Sequence, residues 1–190
     1  MMTSKNSKHS NQVRIIGGIH RGRKLNFQSA EGLRPTPDMV REKVFNWLGQ
    51  DLAGKTVLDL FAGSGALGLE AASRRAARVM MVENNRQTVC ALQNSSRELG
   101  TAQVEIIASD SLMYLQQQRG QFDVVFLDPP FAWQDWPRLF ESLQSHLKNG
   151  AMVYIEASVI PTKPEWLEVY REGKSGMSKF EVLRYTQVAE

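Results

Sequence analysis

Hydrophobic and polar positions form two alternating patterns from residue 56 onward. Short, almost continuously apolar runs indicate buried strands, and the stretches between them have apolar residues at helical spacing. The predicted strands cover residues 56–60, 78–83, 104–108, 122–127 and 151–155, and the predicted helices cover 66–74, 87–99, 112–118 and 136–147. Apolar strands that alternate with helices are typical of a parallel sheet covered on both faces. The sequence therefore predicts an α/β fold.

The two ends of the chain depart from this alternation. The segments 167–171 and 179–185 flank a stretch that contains glycine and serine, which predicts an antiparallel hairpin at one edge of the sheet. Near the N-terminus, 13–16 and 24–27 predict two short strands around a turn region of two glycines. Residues 1–12 are polar almost throughout, so we predict a disordered tail there.

A helix is predicted to begin after the sequence GLRPTPD, residues 32–38. Thr36 is a candidate N-cap, and Pro37 suits the first helical position. Helical spacing then predicts one apolar face formed by Val40, Val44, Trp47 and Leu48.

Composition limits the class of protein. The chain has 190 residues, 42% of them hydrophobic, which suits one globular domain with a sizeable core. The single cysteine, Cys90, excludes a disulfide framework and favours a cytoplasmic location. Its side chain is predicted to lie on a helix and to pack in the hydrophobic core. No apolar run approaches the roughly 20 residues of a membrane span, and the three histidines lack metal-ligand spacing.

Charge is divided unevenly along the chain. Residues 1–50 carry nine Lys and Arg against three Asp and Glu, whereas the remainder carries fourteen against seventeen. A basic front on a mildly acidic body favours contact with a polyanion, although a solvated basic surface is the alternative. The candidate phosphate-binding residues are Arg14, Arg21, Arg23, Lys24, Arg34 and Arg41.

The first chemical motif is DLFAGSGALG, residues 59–68, at the end of the strand 56–60. Its glycines have the spacing of a dinucleotide-binding loop, and Glu83 follows where an acid would bind a ribose. Asp59 argues against a pyrophosphate, because its carboxylate would repel one. A ligand with a cationic amino acid end, such as S-adenosylmethionine, fits this acid better. A connecting turn that binds nothing is the alternative.

The second motif is DPPF, residues 128–131, after the very apolar run 122–127. The two prolines stiffen the turn and remove two amide donors. Asp128 and the carbonyl of Pro129 would accept hydrogen bonds from an exocyclic amino group, and a base would stack on Phe131. Because ligands of open α/β sheets bind beyond the carboxyl ends of the strands, both motifs are predicted to face one crevice.

Taken together, these motifs resemble a known group of enzymes. DLFAGSGALG with Glu83, Asp110 and DPPF is similar to class I S-adenosylmethionine-dependent methyltransferases that act on exocyclic amines of nucleobases. The further sequence GLRPTPDMVREKVFNWL narrows the resemblance to the RsmD family of bacterial 16S ribosomal RNA (guanine-N2)-methyltransferases, over about residues 13–185. It implies a Rossmann-like, mostly parallel sheet of seven strands with an antiparallel C-terminal hairpin, plus a small N-terminal hairpin.

The resemblance also implies roles for single residues. Asp59, Gly63 and Gly65 would line the methionine part of the cofactor, Glu83 would bind its ribose, and Asp110 would lie near its adenine. The whole cofactor set is Asp59, Ala62, Gly63, Ser64, Gly65, Glu83, Asn84, Asp110, Ser111 and Asp128. The catalytic set, which would hold the target guanine for direct methyl transfer, is Asp128, Pro129, Pro130 and Phe131.

The implied substrate is 16S ribosomal RNA, within assembled or assembling 30S particles, and we predict a monomer without metal. The chain would consist of a tail (1–12), a basic RNA-binding appendage (13–50) and a catalytic domain (51–190). Alternatives are an adenine-N6 or cytosine-N4 methyltransferase on another nucleic acid, a nicotinamide-dependent oxidoreductase and a non-catalytic RNA-binding module. About 50 residues before the catalytic domain are few for a duplex-reading domain, which argues against DNA.

Overall fold

The computed structural model describes residues 11–27 and 34–187. Strands β1 (Gln12–Arg14) and β2 (Lys24–Asn26) form a small antiparallel hairpin. One larger sheet contains β3 (Thr56–Asp59), β4 (Arg78–Glu83), β5 (Val104–Ala108), β6 (Phe122–Leu127), β7 (Leu147–Ala157), β8 (Leu167–Ser175) and β9 (Ser178–Tyr185). Its order is β5-β4-β3-β6-β7-β9-β8, and the pairs that involve β9 are antiparallel. The predicted fold class is confirmed.

Helices cover both faces of this sheet. In the described part of the chain they are α1 (Asp38–Leu48), α2 (Ala66–Ser73), α3 (Arg86–Leu99), α4 (Ser111–Gln117) and α5 (Trp136–Leu143). Successive residues of a strand point to opposite faces. Accordingly, Val124 and Phe126 of β6 pack in a core with α1, α2 and α3, whereas Val125 and Leu127 pack in a second core with α4 and α5.

The order of the strands creates a switch point between β3 and β6. From β3 the chain moves outward through β4 to β5, and it then returns to add β6 and β7 on the other side of β3. Asp59 is paired in register with Phe126, so the carboxyl ends of β3 and β6 lie side by side. Ligands of open α/β sheets bind at such a point.

The predicted helix 136–147 is too long at its C-terminal end. The α-helix stops at Leu143, a short 3₁₀ turn covers Gln144–His146, and β7 begins at Leu147. Leu147 pairs with Phe122 of β6, and the register shifts before Val124 pairs with Met152. Pairing with a distant strand therefore overrides the helical pattern at Leu147.

Two local predictions are wrong. Thr36 does not cap α1, because Pro37 occupies the N-cap position and no side chain caps the helix. Cys90 is exposed, because its neighbour Val89 occupies the buried face of α3 and the next residue along a helix points elsewhere.

The N-terminal hairpin packs on the main sheet's first core. Val13 and Leu25 are buried in the same cluster as Phe126 of the central strand. Of the predicted tail, residues 1–10 lie outside the described residues, and Gln12 already belongs to β1, opposite Asn26. The hairpin is thus held by the same hydrophobic core as the strands that position the site.

Buried Glu70 on α2 fastens this hairpin through polar contacts. Its carboxylate accepts hydrogen bonds from the amides of Ile16 (2.9 Å) and Gly17 (2.8 Å). The same carboxylate pairs with the guanidinium groups of Arg41 (3.3 Å) and Arg74 (2.9 Å), which are also buried. One acid therefore joins the hairpin, α1 and α2.

Candidate active site

The loop between β3 and α2 carries the glycine motif and is anchored to both neighbouring strands. The amide of Leu60 donates to the carbonyl of Phe126 in β6 (3.2 Å), and the amide of Ala62 donates to the carbonyl of Val82 in β4 (2.9 Å). The loop is therefore fixed at the switch point.

The glycines of this loop are required by its backbone conformation and by the close packing around it. Gly63 and Gly65 have φ angles of 51° and 82°, a region that glycine adopts without steric cost. A Cβ atom on Gly65 would lie 2.8 Å from the side chain of Leu92, and one on Gly68 would lie 2.9 Å from Met81. These two glycines let α2 pack closely on its neighbours, as the later glycines of such loops do.

Asp59, at the end of β3, is buried and incompletely bonded. Its Oδ2 accepts from the amide of Gly68 (2.9 Å), while Oδ1 has no hydrogen-bond partner among the described residues. Burial raises the pKa of this carboxyl to about 7, and the nearby negative charge of Glu83 adds to the effect. A buried acceptor without a donor fits a cationic or hydrogen-bond-donating group of a ligand.

Replacing Asp59 with asparagine should change how stability depends on pH in the ligand-free protein. The pKa of the folded-state carboxyl, about 7, lies above the ordinary 3.8, so wild-type stability falls as pH rises from about 4 to about 7. We expect Asp59→Asn to unfold with a free energy about 1–2 kcal/mol higher than wild type at pH 8, and to show no gain near pH 4. Urea unfolding at both pH values measures this, with Asp135→Asn as an exposed control. An equal difference at both pH values would contradict the ionisation of Asp59.

Glu83, at the end of β4, holds the loop from the other side. Its Oε2 accepts from the amide of Gly63 (3.0 Å), and its Oε1 accepts from the amide of Asn85 (2.9 Å). Asn84, predicted to bind the cofactor, is exposed, and Asn85 caps α3 by accepting from the amide of Thr88. The acid therefore lies next to the loop on the neighbouring strand.

Asp110, at the end of β5, has a structural task that the sequence analysis missed. Its Oδ1 caps α4 by accepting from the amides of Leu112 (2.9 Å) and Met113 (3.1 Å). An acid just before a helical pattern is the signal that predicts such a cap. Three further residues of the predicted cofactor set are buried: Ala62, Ser64 and Ser111.

The DPPF motif lies directly beyond β6. Asp128 is half-buried, Pro129 is buried, and the side chain of Phe131 is 57% exposed. The carbonyl of Pro130 accepts from the amide of Trp133 (2.9 Å), which closes the turn. The exposed ring thus sits beside a rigid turn at the same sheet edge as the glycine loop.

A cavity of about 290 Å³ opens between this motif and the end of β7. Trp133 forms one of its walls and packs edge-on against Phe61 (5.2 Å between ring centres) and Trp136 (5.3 Å). Ser158 and Val159 contribute from the other side. Its volume is at the lower end of the range for small-molecule pockets.

Behind the motif, Asp128 is surrounded by polar residues that do not belong to the predicted site. The hydroxyl of Thr36 lies 3.3 Å from Oδ2 of Asp128 and 3.2 Å from Oε2 of Glu156, and that oxygen also accepts from the hydroxyl of Tyr154 (2.7 Å). Burial raises the pKa of Asp128 well above its ordinary value, and the charges of Glu156 and Asp59 raise it further. The position of Glu156 at a strand end was the available signal.

The basic residues predicted to bind phosphate differ in their exposure to solvent. Arg41 is fully buried, where it pairs with Glu70 and Asp38, so it cannot reach a phosphate and its prediction as an RNA-binding residue is wrong. The others are exposed in the hairpin and before α1: Arg14, Arg21, Arg23, Lys24 and Arg34.

Within residues 11–27 and 34–187, no cluster of three or more His, Cys, Asp or Glu side chains is arranged to hold a metal ion. In the same ranges, no helix has the length and apolar character needed to cross a membrane.

A glycine loop bonded to acids at the ends of β3 and β4, with DPPF directly after the adjacent β6, defines a class I methyltransferase. The family model described as "Conserved hypothetical protein 95" matches residues 13–184. The chain is 38% identical to Ribosomal RNA small subunit methyltransferase D of Escherichia coli K12, over 92% of this chain and 91% of the relative. The protein of that name from Haemophilus influenzae is 43% identical, over 76% of this chain and 78% of the relative. The chain therefore belongs to the RsmD family.

Solved structures agree with this assignment. The chain superposes on yhhF of Escherichia coli with a TM-score of 0.84 and 37% identity, covering 92% of this chain and 98% of the other. An RNA methyltransferase from Salinibacter ruber, solved in complex with S-adenosyl-L-homocysteine, has the same fold at 20% identity, with a TM-score of 0.63 and coverage of 83% and 97%.

Proposed function

We propose that this protein transfers a methyl group from S-adenosylmethionine to the exocyclic N2 of a guanine in 16S ribosomal RNA. The observation that carries the proposal is the juxtaposition of the glycine loop and DPPF at the carboxyl ends of paired strands β3 and β6. The names of the relatives support a small-subunit ribosomal RNA as substrate. The proposed 30S context, the monomeric state and the cytoplasmic location are predictions from the sequence.

The glycine loop and the acids beside it suit S-adenosylmethionine in charge and in hydrogen bonding. The Oδ1 of Asp59, which has no partner within residues 11–27 and 34–187, suits the ammonium of the methionine part, since a buried acceptor gains most from a charged donor. Glu83, beside the loop, suits the ribose hydroxyls. We propose that Asp110 and Ser111, at the start of α4 after β5, line the adenine side of the bound cofactor.

At the other side of the crevice, DPPF suits a planar base with an amino group. Asp128 and the carbonyl of Pro129 supply two acceptors, and exposed Phe131 supplies a face on which the base stacks. The base must leave its stack to reach this turn. The cavity walled by Trp133 offers room beside the turn for the extruded nucleotide.

The chemical contribution of the protein is to position the amine and to stabilise developing charge. When bound, S-adenosylmethionine supplies an electrophilic methyl group on a sulfonium. The carboxyl of Asp128 and the carbonyl of Pro129 accept hydrogen bonds from the amino group. These bonds direct the nitrogen lone pair away from the acceptors and stabilise the positive charge that forms on nitrogen. Rigid positioning by the proline turn accounts for a large part of such a rate enhancement.

We assign phosphate binding to the exposed basic residues of the hairpin. Arg14 pairs with Asp38 (2.9 Å) on the exposed surface, whereas Arg21, Arg23 and Lys24 project from the turn and from β2. Contacts to phosphates orient an RNA without reading its sequence. Glu70 fastens the hairpin to α2, and α2 follows the glycine loop. The phosphate-binding residues would therefore be held in a fixed position relative to the site.

Replacing Arg21, Arg23 and Lys24 together with glutamine should weaken binding to 30S particles and flatten its salt dependence. Each lost phosphate contact reduces the steepness of log affinity against log salt by about 0.7–0.9, so we expect three lost contacts to reduce it by about 2.1–2.7. Binding measured across a salt series tests this, and cofactor affinity should not change. A control with three exposed basic residues elsewhere, Arg119, Lys174 and Lys179, corrects for net charge. Equal effects of both triple variants would contradict a phosphate-binding hairpin.

A methyl-transfer assay tests the proposed function. The purified protein is incubated with S-adenosylmethionine carrying a tritiated methyl group and with unmethylated 30S particles, naked 16S RNA or DNA. The proposal predicts tritium in the ribosomal RNA. Label in DNA would favour the adenine-N6 or cytosine-N4 alternative. Binding of NAD instead of S-adenosylmethionine in calorimetry would favour the oxidoreductase, and RNA binding without transfer would favour a binding module.

A further inference from the structure

A chain of buried hydroxyl and carboxyl groups extends from Asp128 into the protein. Thr36, Tyr154 and Glu156 are all buried. Oε2 of Glu156 lies within hydrogen-bond distance of the hydroxyls of Thr36 (3.2 Å) and Tyr154 (2.7 Å), and Oε1 accepts from Ser178 (2.7 Å). Buried polar groups cost free energy unless each has a hydrogen-bond partner. Which hydrogens are available to these buried oxygens therefore determines how the carboxyl groups are protonated.

Only one hydroxyl hydrogen lies between Asp128 and Glu156, and it cannot bond to both acids at once if both are ionised. Thr36 has one hydroxyl hydrogen but faces two carboxylate oxygens, Oδ2 of Asp128 and Oε2 of Glu156. The phenol of Tyr154 cannot supply a further proton, because burial and the charges of Glu156 and Asp128 raise its pKa well above the ordinary value. One added proton completes the chain, so that a protonated Asp128 donates to Thr36 and Thr36 donates to Glu156.

We propose that Glu156 is a positioning residue for methyl transfer, which through the hydroxyl of Thr36 shares one proton with Asp128 and makes Asp128 the base for the target amine. This inference rests on the proposed function, because it assigns the fate of a proton in that reaction.

The reaction releases one proton that the protein must accept. The amine nitrogen uses its lone pair to bond the methyl carbon while the bond from that carbon to the sulfonium sulfur breaks, and the electron pair of the broken bond stays on sulfur, which leaves as a neutral thioether. The nitrogen then loses one hydrogen as a proton, and the electrons of that N–H bond become its new lone pair. Asp128 takes up the proton while the shared proton lies towards Glu156. Transfer along the Thr36 hydroxyl moves one hydrogen in and one out, so threonine is unchanged.

The charged surroundings of Asp128 support its role as a base. Glu156 and the phenol of Tyr154 face it from β7, Asp59 from β3, and Thr36 from the segment before α1. Burial and the two neighbouring acids raise the pKa of Asp128. A base is most effective when its pKa is close to the working pH.

Carbon NMR of protein labelled at the aspartate side-chain carboxyl tests the inference without any turnover. The signal of Asp128, assigned by its loss in Asp128→Asn, is followed against pH in the ligand-free protein. We expect Glu156→Gln, which keeps an acceptor but removes the charge, to lower the titration midpoint by at least about one pH unit. Thr36→Val should also shift the midpoint, whereas Thr36→Ser, which retains the hydroxyl, should match wild type.

The acid limb of the pH profile for turnover should move with the NMR midpoint. A merely structural role of Glu156 would lower turnover without moving either curve. An unchanged Asp128 midpoint in both Glu156→Gln and Thr36→Val would overturn the inference. Failure of the proposed function would appear differently, as absent methyl transfer by the wild type, and the NMR titration would still decide whether the proton is shared.

Discussion

Asp128→Ala is expected to lower the turnover number for methyl transfer about 10²–10³-fold while leaving affinity for S-adenosylmethionine almost unchanged. Asp128 directly follows β6 at the start of a rigid Pro-Pro turn, where in our proposal its carboxyl accepts a hydrogen bond from the target amine and then a proton. Loss of one preorganised partner at a reacting group costs roughly 2.7–4 kcal/mol in comparable sites. Single-turnover kinetics on 30S particles, with calorimetry of the cofactor, measure the two quantities separately.

Two further variants make this prediction specific. Asp128→Asn keeps a carbonyl acceptor for the amine but cannot take up a proton, so we expect a smaller loss than with alanine. Asp135→Ala removes an exposed acid nearby, whose side chain does not cap α5, and should retain wild-type turnover. Near-wild-type turnover of Asp128→Ala would refute the assignment of DPPF to the target base.

Glu70→Ala is expected to lower the free energy of unfolding by about 3–5 kcal/mol. The substitution removes the carboxylate that pairs with the buried guanidinium of Arg74, and it leaves the buried guanidinium of Arg41 with its pair to Asp38. It also removes the acceptor for the amides of Ile16 and Gly17. An uncompensated buried charge is among the most destabilising single changes. Urea unfolding measures the loss.

Two matched variants show how much of the loss in stability comes from the charge of Glu70 and how much from its burial. Glu70→Gln keeps an acceptor oxygen and should lose less than alanine does. Glu105→Ala breaks an ion pair with Arg78 in which both side chains are more than half exposed, and should cost less than about 1 kcal/mol. If Glu70→Ala unfolded within about 1 kcal/mol of wild type, the carboxylate would not be what holds the hairpin to α2.

The sequence was most informative where a buried strand ends. The runs 78–83, 104–108 and 122–127 match β4, β5 and β6 residue for residue, because polar or turn residues bound each apolar run. The carboxyl ends of parallel strands lie at one edge of the sheet. The placement of Asp59 and Asp128 at one crevice could therefore be predicted from the alternation of strands and helices along the sequence. The site motifs therefore follow from local pattern plus one topological rule.

Contacts between distant residues were beyond the reach of local pattern. Thr36 has the position of a cap, yet its hydroxyl bonds residues 92 and 120 positions away, Asp128 and Glu156. Arg41 belongs by sequence to a basic cluster, but Glu70 on another helix draws it into the core. In each case the partner is brought close only by the complete fold, which overrides local preference.

We propose above all that DPPF directs methylation to the N2 of guanine in small-subunit ribosomal RNA. The most direct test of this proposal is nucleoside analysis of 16S RNA after incubation of unmethylated 30S particles with the protein and methyl-labelled S-adenosylmethionine. The account predicts that the label is recovered as N2-methylguanosine with wild type and is lost with Asp128→Ala. Recovery of the label as N6-methyladenosine or N4-methylcytidine, or no label in any nucleoside, would contradict it.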